Sequence, residues 1–357
     1  MKTYIKFLIN LFNISFFKIF IIFFTIIFVT NILEQIEFFK DKDLSFFNII
    51  LLSFLNTPSI LFDIFPFIFL LSTQIFFIQL INKNELEIFK YRGLNNIKII
   101  KILGVYTFLL GILLVIFFYN ASSVLKNSYL LIKNNYSENN KYLAVITKNG
   151  LWIKDEINES INIVNAGKVA DKFLLNVSIT KFNKNFEIME TIESKKVDIT
   201  SKEWKIFNPI ILRNNSKNIS NELIMNSNFD LQKINSLFSN LSSLTMIDLI
   251  ILRESYISLN YSVTDVNSHL LKVISYPIYL TLITVFSAII MFNISYQKNT
   301  FFKITLGILS SVIIYYINNF FYVLGTNEKI PLILSIFLPL VILLIINFAS
   351  IIKLNEK

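Results

Sequence analysis

The chain has 357 residues, a net charge of +9 and 54% hydrophobic residues, and its mean hydropathy of +0.60 is too high for an ordinary water-soluble protein. The absence of Cys excludes disulfides and thiolate metal sites, and the single histidine, His269, leaves too few ligands for a typical zinc centre, so we expect no metal or cofactor. Apolar residues concentrate at both ends, whereas residues 120–267 are rich in Asn, Lys, Ser and Glu, which predicts membrane helices on both sides of one polar domain.

The first apolar segment, residues 7–32, is longer than the ~20 residues that a bilayer needs, but it contains Lys18. A central Lys costs about 3 kcal/mol, whereas the apolar residues 19–29 recover about 5 kcal/mol, so we expect insertion, with Lys18 reaching toward the nearer surface. The segment is too long for a signal-peptide core and lacks a small-residue cleavage site. We therefore interpret it as a retained helix.

Five further spans are predicted, at residues 59–81, 99–119, 273–292, 302–324 and 331–352, which makes six crossings. Basic residues crowd the connection between the second and third spans and both chain ends, whereas the first connection carries several acids. The positive-inside rule then predicts an inner-membrane protein with cytoplasmic termini and an extracytoplasmic middle.

The polar middle alternates with period two in six segments, residues 143–147, 151–154, 161–164, 173–180, 186–191 and 204–212. No helical pattern intervenes, which predicts a sandwich or an open β-roll. After Asp230 the pattern becomes helical, and a helix from about Val263 leads into the fourth span. The predicted domains are residues 1–120, 121–243 and 244–357: a three-helix bundle, an all-β domain, and connecting helices with a second three-helix bundle.

The segment 84–93, between the second and third spans, carries every signal of a short capped helix. The signals are an N-cap, two acids in the first turn, two bases in the last turn and a closing glycine: Asn84, Glu85, Glu87, Lys90, Arg92 and Gly93. A helix of about eight residues is shorter than the ~12 needed for stability alone, so it is expected to lean on the membrane helices or on a partner. Two interpretations stay open: a well-capped solvated loop, or a coupling helix that fits a groove on a cytoplasmic motor.

Few polar residues interrupt the spans, and the sequence has no P-loop, GxSxG or HExxH motif, so catalysis is not expected. Asp63 is a functional candidate because it is a carboxylate within a span, although its place near the span's edge favours a hydrated, interfacial group. The Asn pair 318–319 is expected to hydrogen-bond between helices, and His269 to lie at a helix surface. Lys40 and Lys42, just beyond the first span, are either contacts for anionic head groups or ordinary interfacial lysines.

Three stretches resemble a known family in their sequence and in their order. They are residues 32–40 with Thr57-Pro58, Phe65-Pro66, Asn84-Glu85-Leu86 and Arg92-Gly93; residues 150–155 with Asn165-Ala166 and Trp204; and residues 271–277 with Leu324-Gly325, Pro331 and Pro339. The family is that of the lipopolysaccharide-export permeases LptF and LptG, the membrane subunits of a bacterial ABC exporter. Trp152 and the segment 34–40 favour LptG.

The resemblance implies a periplasmic β-jellyroll-like domain and four partners: lipopolysaccharide, an LptF-like companion permease, a cytoplasmic LptB-like ATPase dimer and a bitopic LptC-like bridge protein. It assigns ATPase coupling to the short helix, with Glu85, Glu87, Lys90, Arg92 and Gly93. Lipopolysaccharide contacts would involve Lys40, Lys42, Trp152 and Leu174, although inward-facing residues such as Leu174 would equally fill an ordinary core. Lys272 stands where an arginine is usual.

The alternative from another class is a multi-span sensor or scaffold whose β domain binds a ligand. Six crossings exceed what anchoring requires, and no predicted cytoplasmic segment is long enough for an output domain. An intramembrane enzyme would need ionisable residues clustered in the spans, and the sequence shows no such pattern. Copurification with an ATPase subunit separates the exporter from both.

Overall fold

The computed structural model describes residues 3–40, 45–136, 151–157, 160–170, 172–183, 187–213, 216–231, 234, 240–258, 262–293 and 300–355. Contacts within the chain divide it into two compact units: Met1–Tyr129 with Thr264–Lys357, and Leu130–Val263. The first unit is helical, and the second contains the strands. Lys42 and the predicted strand 143–147 lie outside the described residues.

The helices are α1 (Thr3–Phe38), α2 (Phe46–Asn82), α3 (Glu85–Tyr91), α4 (Asn96–Leu113), α5 (Asn120–Asn135), α6 (Met246–Ser258), α7 (Thr264–Asn293), α8 (Thr300–Thr326) and α9 (Leu332–Asn355). A π-helical stretch, Leu114–Tyr119, joins α4 to α5 in one continuous run. Within the described residues, six helices or helix runs are long and apolar enough to cross a membrane: α1, α2, the α4–α5 run, α7, α8 and α9. The predicted number of spans is therefore confirmed.

Helix α2 is longer than predicted. It begins at Phe46 and has 37 residues, with Pro58 and Pro66 inside it, whereas the predicted span began at Ser59. In water, a proline inside a helix removes a backbone hydrogen bond and breaks or kinks the helix. In membrane proteins, neighbouring helices satisfy the backbone groups that proline frees, so such a helix continues through the proline.

A buried polar cluster joins α1 to the first half of α2. The side-chain amide of Asn31 donates to Thr57 Oγ1 at 3.2 Å, and the amide of Asn56 donates to Asn31 Oδ1 at 3.0 Å. Thr57 Oγ1 in turn donates to the carbonyl of Ser53 at 2.7 Å. Polar bonds of this kind hold helices together in an apolar medium, where water cannot replace them.

Two buried glycines bring α4 against α7. A Cβ added at Gly111 would lie 2.9 Å from the Cα of Pro277 and 3.2 Å from its Cβ. At Gly104 the added Cβ would lie 3.6 Å from Val285 Cγ2 and 3.9 Å from Thr281 Cγ2, which is ordinary van der Waals contact. Only Gly111 is therefore required by the close approach of the two backbones.

The strands of the second unit are β1 (Leu151–Ile157), β2 (Ser160–Ala170), β3 (Phe173–Phe182), β4 (Ile188–Asp198), β5 (Glu203–Phe207), β6 (Ile210–Arg213), β7 (Ser216–Ile219) and β8 (Glu222–Asn226). All described pairings are antiparallel. The order is β1-β2-β3-β4-β5-β8, with β6 between β4 and β7. An inserted antiparallel β region is thus confirmed.

The predicted strand 204–212 is interrupted. Asn208 has a left-handed φ of 46°, and Pro209 has no N–H for the ladder, so β5 and β6 separate there. Both strands pair with β4. On their other side, β5 pairs with β8 and β6 pairs with β7, so the chain is interrupted between β7 and β8 opposite the interruption between β5 and β6. The backbone N–H of Asn208 donates to Asn221 O at 3.0 Å, and that of Ser220 donates to Pro209 O at 3.3 Å, which bridges the gap.

Strict alternation also fails on β3. Leu174 and Val177 are both buried although they are three positions apart, an odd spacing that regular alternation would place on opposite faces. Between them, Asn176 has a left-handed φ of 53°, which changes the phase of the alternation.

A buried carboxylate fixes the first strand to the segment after the last one. Asp155 accepts hydrogen bonds from Ser227 Oγ at 2.8 Å, from the backbone N–H of Asn228 at 3.1 Å and from its side-chain amide at 2.8 Å. The carbonyl of the next residue, Phe229, accepts a hydrogen bond from the indole N–H of the buried Trp204 at 2.7 Å. Together these bonds satisfy the buried carboxylate of Asp155 and the buried indole N–H of Trp204.

Candidate functional site

A cavity of about 170 Å³ opens within the helical unit, among α2, α7, α8 and α9. It combines charged, phenolic and amide side chains with apolar ones. Its lining comprises Asp63, Pro66, Lys272, Ser275, Tyr276, Tyr279, Tyr315, Asn318, Asn319, Tyr322, Ile336 and Leu340. Such a concentration of polar groups inside long apolar helices marks a candidate site rather than ordinary packing.

An ion pair lies at the polar end of this cavity. Lys272 Nζ on α7 is 2.9 Å from Asp63 Oδ1 on α2, and it also lies 5.8 Å from the centroid of the Tyr322 ring, within cation–π range. The two side chains keep 39% and 53% of their surface exposed, so a molecule in the cavity can reach both. Asp63 was expected to be a hydrated, interfacial carboxylate; its side chain is indeed half exposed, but the sequence did not predict that a lysine from the fourth span pairs with it.

A second contact between α2 and α7 depends on Pro66. Because proline has no N–H, the carbonyl of Phe62, four residues earlier, loses its helical partner. The phenol of Tyr276 donates a hydrogen bond to that carbonyl, and its ring stacks on the Phe62 ring with centroids 4.5 Å apart. Tyr276 therefore lines the cavity and also satisfies the backbone carbonyl that Pro66 leaves without a helical partner.

His269 lies one turn before Lys272 on α7 and packs inside the unit. Its Nε2 is 2.9 Å from the hydroxyl of Tyr119, the last residue of the π-helical stretch. The Tyr119 ring also lies 5.1 Å from the Phe62 ring, centroid to centroid. The prediction of a surface histidine was wrong, because the π-helical turn brings Tyr119 onto it. Lys126, farther along the same run, is within electrostatic range of both Asp63 and Lys272.

This arrangement suits an anionic amphiphile. The ammonium of Lys272 is matched to a phosphate or carboxylate, and the phenols and amides can bind further oxygens. Apolar surface is available beside them, since only 11% of the most apolar stretch of α8 is buried inside the chain. The site can therefore hold a charged head group while its apolar chains lie along the helices.

Polar residues at helical spacing form the site on two helices. On α7 they are Lys272, Ser275, Tyr276 and Tyr279, and on α8 they are Tyr315, Asn318, Asn319 and Tyr322. The Asn pair was predicted to hydrogen-bond between helices, but none of these tyrosines was predicted to belong to a site. The signal was present as spacings of three, four and seven residues in otherwise apolar segments, which place side chains on one face.

The short helix α3 occupies the segment that was predicted to be a capped helix. Leu86 is buried, and the ring of Phe89 lies 5.8 Å from that of Phe7 on α1, so the helix leans on the membrane unit. Glu85 Oε2 is shielded from solvent and has no hydrogen-bond partner among the described residues. The remaining charged residues point outward: Glu87, Lys90 and Arg92.

The two ends of α3 differ in how well they were predicted. Gly93 has φ of 80° and donates to the carbonyl of Lys90 at 3.0 Å, and the next residue, Leu94, donates to Phe89 at 3.0 Å. This Schellman closure confirms the predicted left-handed glycine. The predicted N-cap was wrong: Asn84 is left-handed, with φ of 55°, and makes no side-chain cap. Only two residues separate α2 from α3, so Asn84 serves to end α2 instead.

The other predicted contact residues have different environments. Lys40 is exposed just after α1 and is not among the residues that line the cavity. In the strand unit, Trp152 is 53% exposed whereas Leu174 has no exposed surface. Lys42 lies outside the described residues. The structure thus places Leu174 in a packed core and leaves Trp152 accessible.

Comparison with known proteins gives one result for almost the whole chain. A family model described as "Lipopolysaccharide export system permease LptF/LptG" matches residues 6–353. A search of curated proteins found no match.

Proposed function

Because the chain belongs to the LptF/LptG family of lipopolysaccharide export permeases, we propose that it is the permease subunit of an ABC exporter that extracts lipopolysaccharide from the inner membrane. A separate cytoplasmic ATPase supplies the energy, and the lipid passes to a periplasmic bridge. The observation that carries this proposal is the cavity that holds Lys272 among apolar membrane helices.

Lipopolysaccharide fits the chemistry of this cavity. Its lipid portion carries phosphate groups on a sugar backbone and several acyl chains, so it needs a cation, hydrogen-bonding groups and an apolar wall in close proximity. Lys272 provides the cation, and the tyrosines and asparagines provide the donors and acceptors. The acyl chains would lie along the exposed apolar faces of the helices. Lys40, Lys42 and Trp152 are proposed as further contacts, and Leu174 as part of an apolar track inside the strand unit.

The proposed topology follows the distribution of basic residues. Both termini and α3 are cytoplasmic, and the strand unit, a β-jellyroll-like domain within residues 121–243, is periplasmic. The segments 1–120 and 244–357 each contribute three membrane helices. A companion permease of the same family would complete the path for a large lipid, and a bitopic protein would continue it in the periplasm.

The proposed contact with the ATPase is α3. Its apolar side is anchored on α1 and α2, so its charged side is held in a fixed position on the surface. The unpartnered Oε2 of Glu85 supports a role for a basic residue from another chain, because a buried acceptor without a partner is costly. Glu87, Lys90 and Arg92 would form the rim of this contact, and Gly93 fixes the end of the helix.

Photocrosslinking tests the substrate. A benzophenone amino acid at Tyr315, which lines the cavity, should crosslink lipopolysaccharide in membranes that contain the assembled exporter, and ATP should reduce the yield. The matched control is the neighbouring Tyr316, which does not line the cavity. Equal yields at the two positions, or no yield at Tyr315, would contradict the proposal.

Copurification tests the coupling helix. Glu85→Ala should reduce recovery of the ATPase by about tenfold or more, because hydrogen bonds to charged groups contribute roughly 1.5–3 kcal/mol. Expression should not fall, because the buried Oε2 of Glu85 makes no hydrogen bond within the described residues and its removal leaves no partner unsatisfied. Glu37→Ala, an exposed acid near the end of α1, is the control. Loss of expression with unchanged recovery per molecule would refute the role.

A further inference from the structure

We propose that Asp63 is a release residue: an internal counter-ion that competes with the lipid phosphate for Lys272 and thereby sets how readily the lipid leaves the cavity. This inference rests on the proposed function, because it takes lipopolysaccharide as the occupant. Removing a polar group from a binding site usually weakens binding. Here we expect that removing the Asp63 carboxylate makes the cavity retain the lipid longer.

The geometry makes Asp63 and a ligand compete for the same atom. Lys272 Nζ is 2.9 Å from Asp63 Oδ1, and both side chains line the cavity. An ammonium already bound to a carboxylate offers its full charge to a phosphate only when the carboxylate withdraws. Asp63 is attached to the same chain, so it competes at a high effective concentration whenever the phosphate loosens.

The surroundings allow the pair to separate without leaving a bare charge in an apolar medium. More than half of the Asp63 side chain is exposed at the cavity surface, so water can solvate it when the pair opens. Lys126 is within electrostatic range and holds a compensating positive charge nearby. A fully buried ion pair would not separate readily, because separation would leave two uncompensated charges in an apolar medium.

Two prolines lie next to the pair, one on each helix. Pro66 follows Asp63 by one turn, and Pro277 lies beyond Lys272 on α7. Each proline removes a backbone hydrogen bond, which lowers the resistance of a helix to bending. The ties from Tyr276 to Phe62 and from Ser287 to Leu70, the latter 2.9 Å long, hold α2 and α7 together beside and beyond the pair. The two helices therefore stay joined when the side chains of the pair separate.

The physical consequence is a balance between capture and release. Without a competitor, a lysine in a site of low dielectric would hold a phosphate tightly and delay each transport cycle. With Asp63 present, every lipid that leaves is replaced at Lys272 by the carboxylate, which hinders immediate recapture. The cavity thus captures an anionic lipid and can still deliver it.

The test measures lipid retention through the benzophenone at Tyr315, with the exporter loaded with lipopolysaccharide and then chased with ATP. Asp63→Asn should raise the loaded fraction at limiting lipid and slow its loss by about tenfold, because a competing charged hydrogen bond has been removed. Lys272→Gln should load poorly. The double variant should behave like Lys272→Gln, since the cation for which Asp63 competes is absent from both. Asp265→Asn, an exposed acid on the same helix α7, should behave like the wild type.

Further arms separate the alternatives. Lipopolysaccharide without its lipid phosphates should show no slower loss from Asp63→Asn than from the wild type. Asp63→Glu should restore rapid release, and Asp63→Ser replaces the Asn variant if that variant does not fold. Poorer loading by Asp63→Asn would overturn the proposal, because Asp63 would then bind the lipid itself, and so would unchanged release. No crosslink in the wild type would refute the proposed function instead.

Discussion

Replacing Gly111 by Ala should force α4 away from α7. The added Cβ would meet the Cα of Pro277 at 2.9 Å and its Cβ at 3.2 Å, whereas non-bonded carbons prefer about 3.5–4.0 Å. Both atoms belong to the rigid part of a proline, so the helices themselves must separate. Overpacking of this kind costs roughly 1–3 kcal/mol. Alanine recovers about 0.5–1 kcal/mol of helix preference, which leaves a net loss of up to about 2.5 kcal/mol, with a middle value near 1 kcal/mol.

Gly104→Ala is the matched control on the same helix. Its Cβ would meet side-chain methyl groups at 3.6 and 3.9 Å, so it fits without rearrangement. The helix preference of alanine should then make this variant as stable as the wild type or more stable, by up to about 0.5–1 kcal/mol. Equilibrium unfolding of both variants in mixed detergent micelles, followed by circular dichroism, measures the difference. Equal stability of the two variants would refute the assignment of Gly111 to a backbone contact.

Three further changes have defined outcomes. Tyr276→Phe removes the donor to the Phe62 carbonyl and should cost about 0.6–1.7 kcal/mol in the same unfolding assay; adding Pro66→Ala should recover part of this loss, because residue 66 then has its own N–H. Asp155→Ala removes three buried hydrogen bonds and should cost about 2–4 kcal/mol, seen as faster amide exchange in β1 and β8; unchanged exchange in both strands would contradict this. Gly93→Ala strains a residue at φ of 80° by about 1–2 kcal/mol and should weaken ATPase copurification at normal expression.

Local patterns predicted much of the fold. Hydropathy over some twenty residues located all six spans, because lipid demands long uninterrupted apolar helices. The helix predicted from about Val263 begins at Thr264. The left-handed Gly93 was also predictable, since the acids, the bases and the glycine of one short segment all indicated the same helix.

The cavity depended on contacts that no local pattern contains. Asp63 and Lys272 are 209 residues apart in the sequence, and each alone was compatible with a hydrated interfacial charge. His269 was misplaced for the same reason, because its partner Tyr119 lies on another helix. Helix α2 begins at Phe46, before the span predicted from Ser59, and it continues through Pro58 because neighbouring helices can satisfy the backbone groups that proline frees.

The bonds between α2 and α7 also determine the order in which this protein can assemble. Chain elongation at roughly 5–20 residues per second means that Lys272 is synthesised about 10–40 s after Asp63, given the 209 residues between them. Throughout that interval the carboxylate of Asp63 and the free carbonyl of Phe62 lack their partners on α7, in a medium where unpaired polar groups are costly. In the nascent chain these two groups therefore need other partners, such as water or lipid head groups, until α7 has been inserted. We therefore expect substitutions at the residues that join α2 to α7 to lower the yield of inserted protein as well as to affect transport.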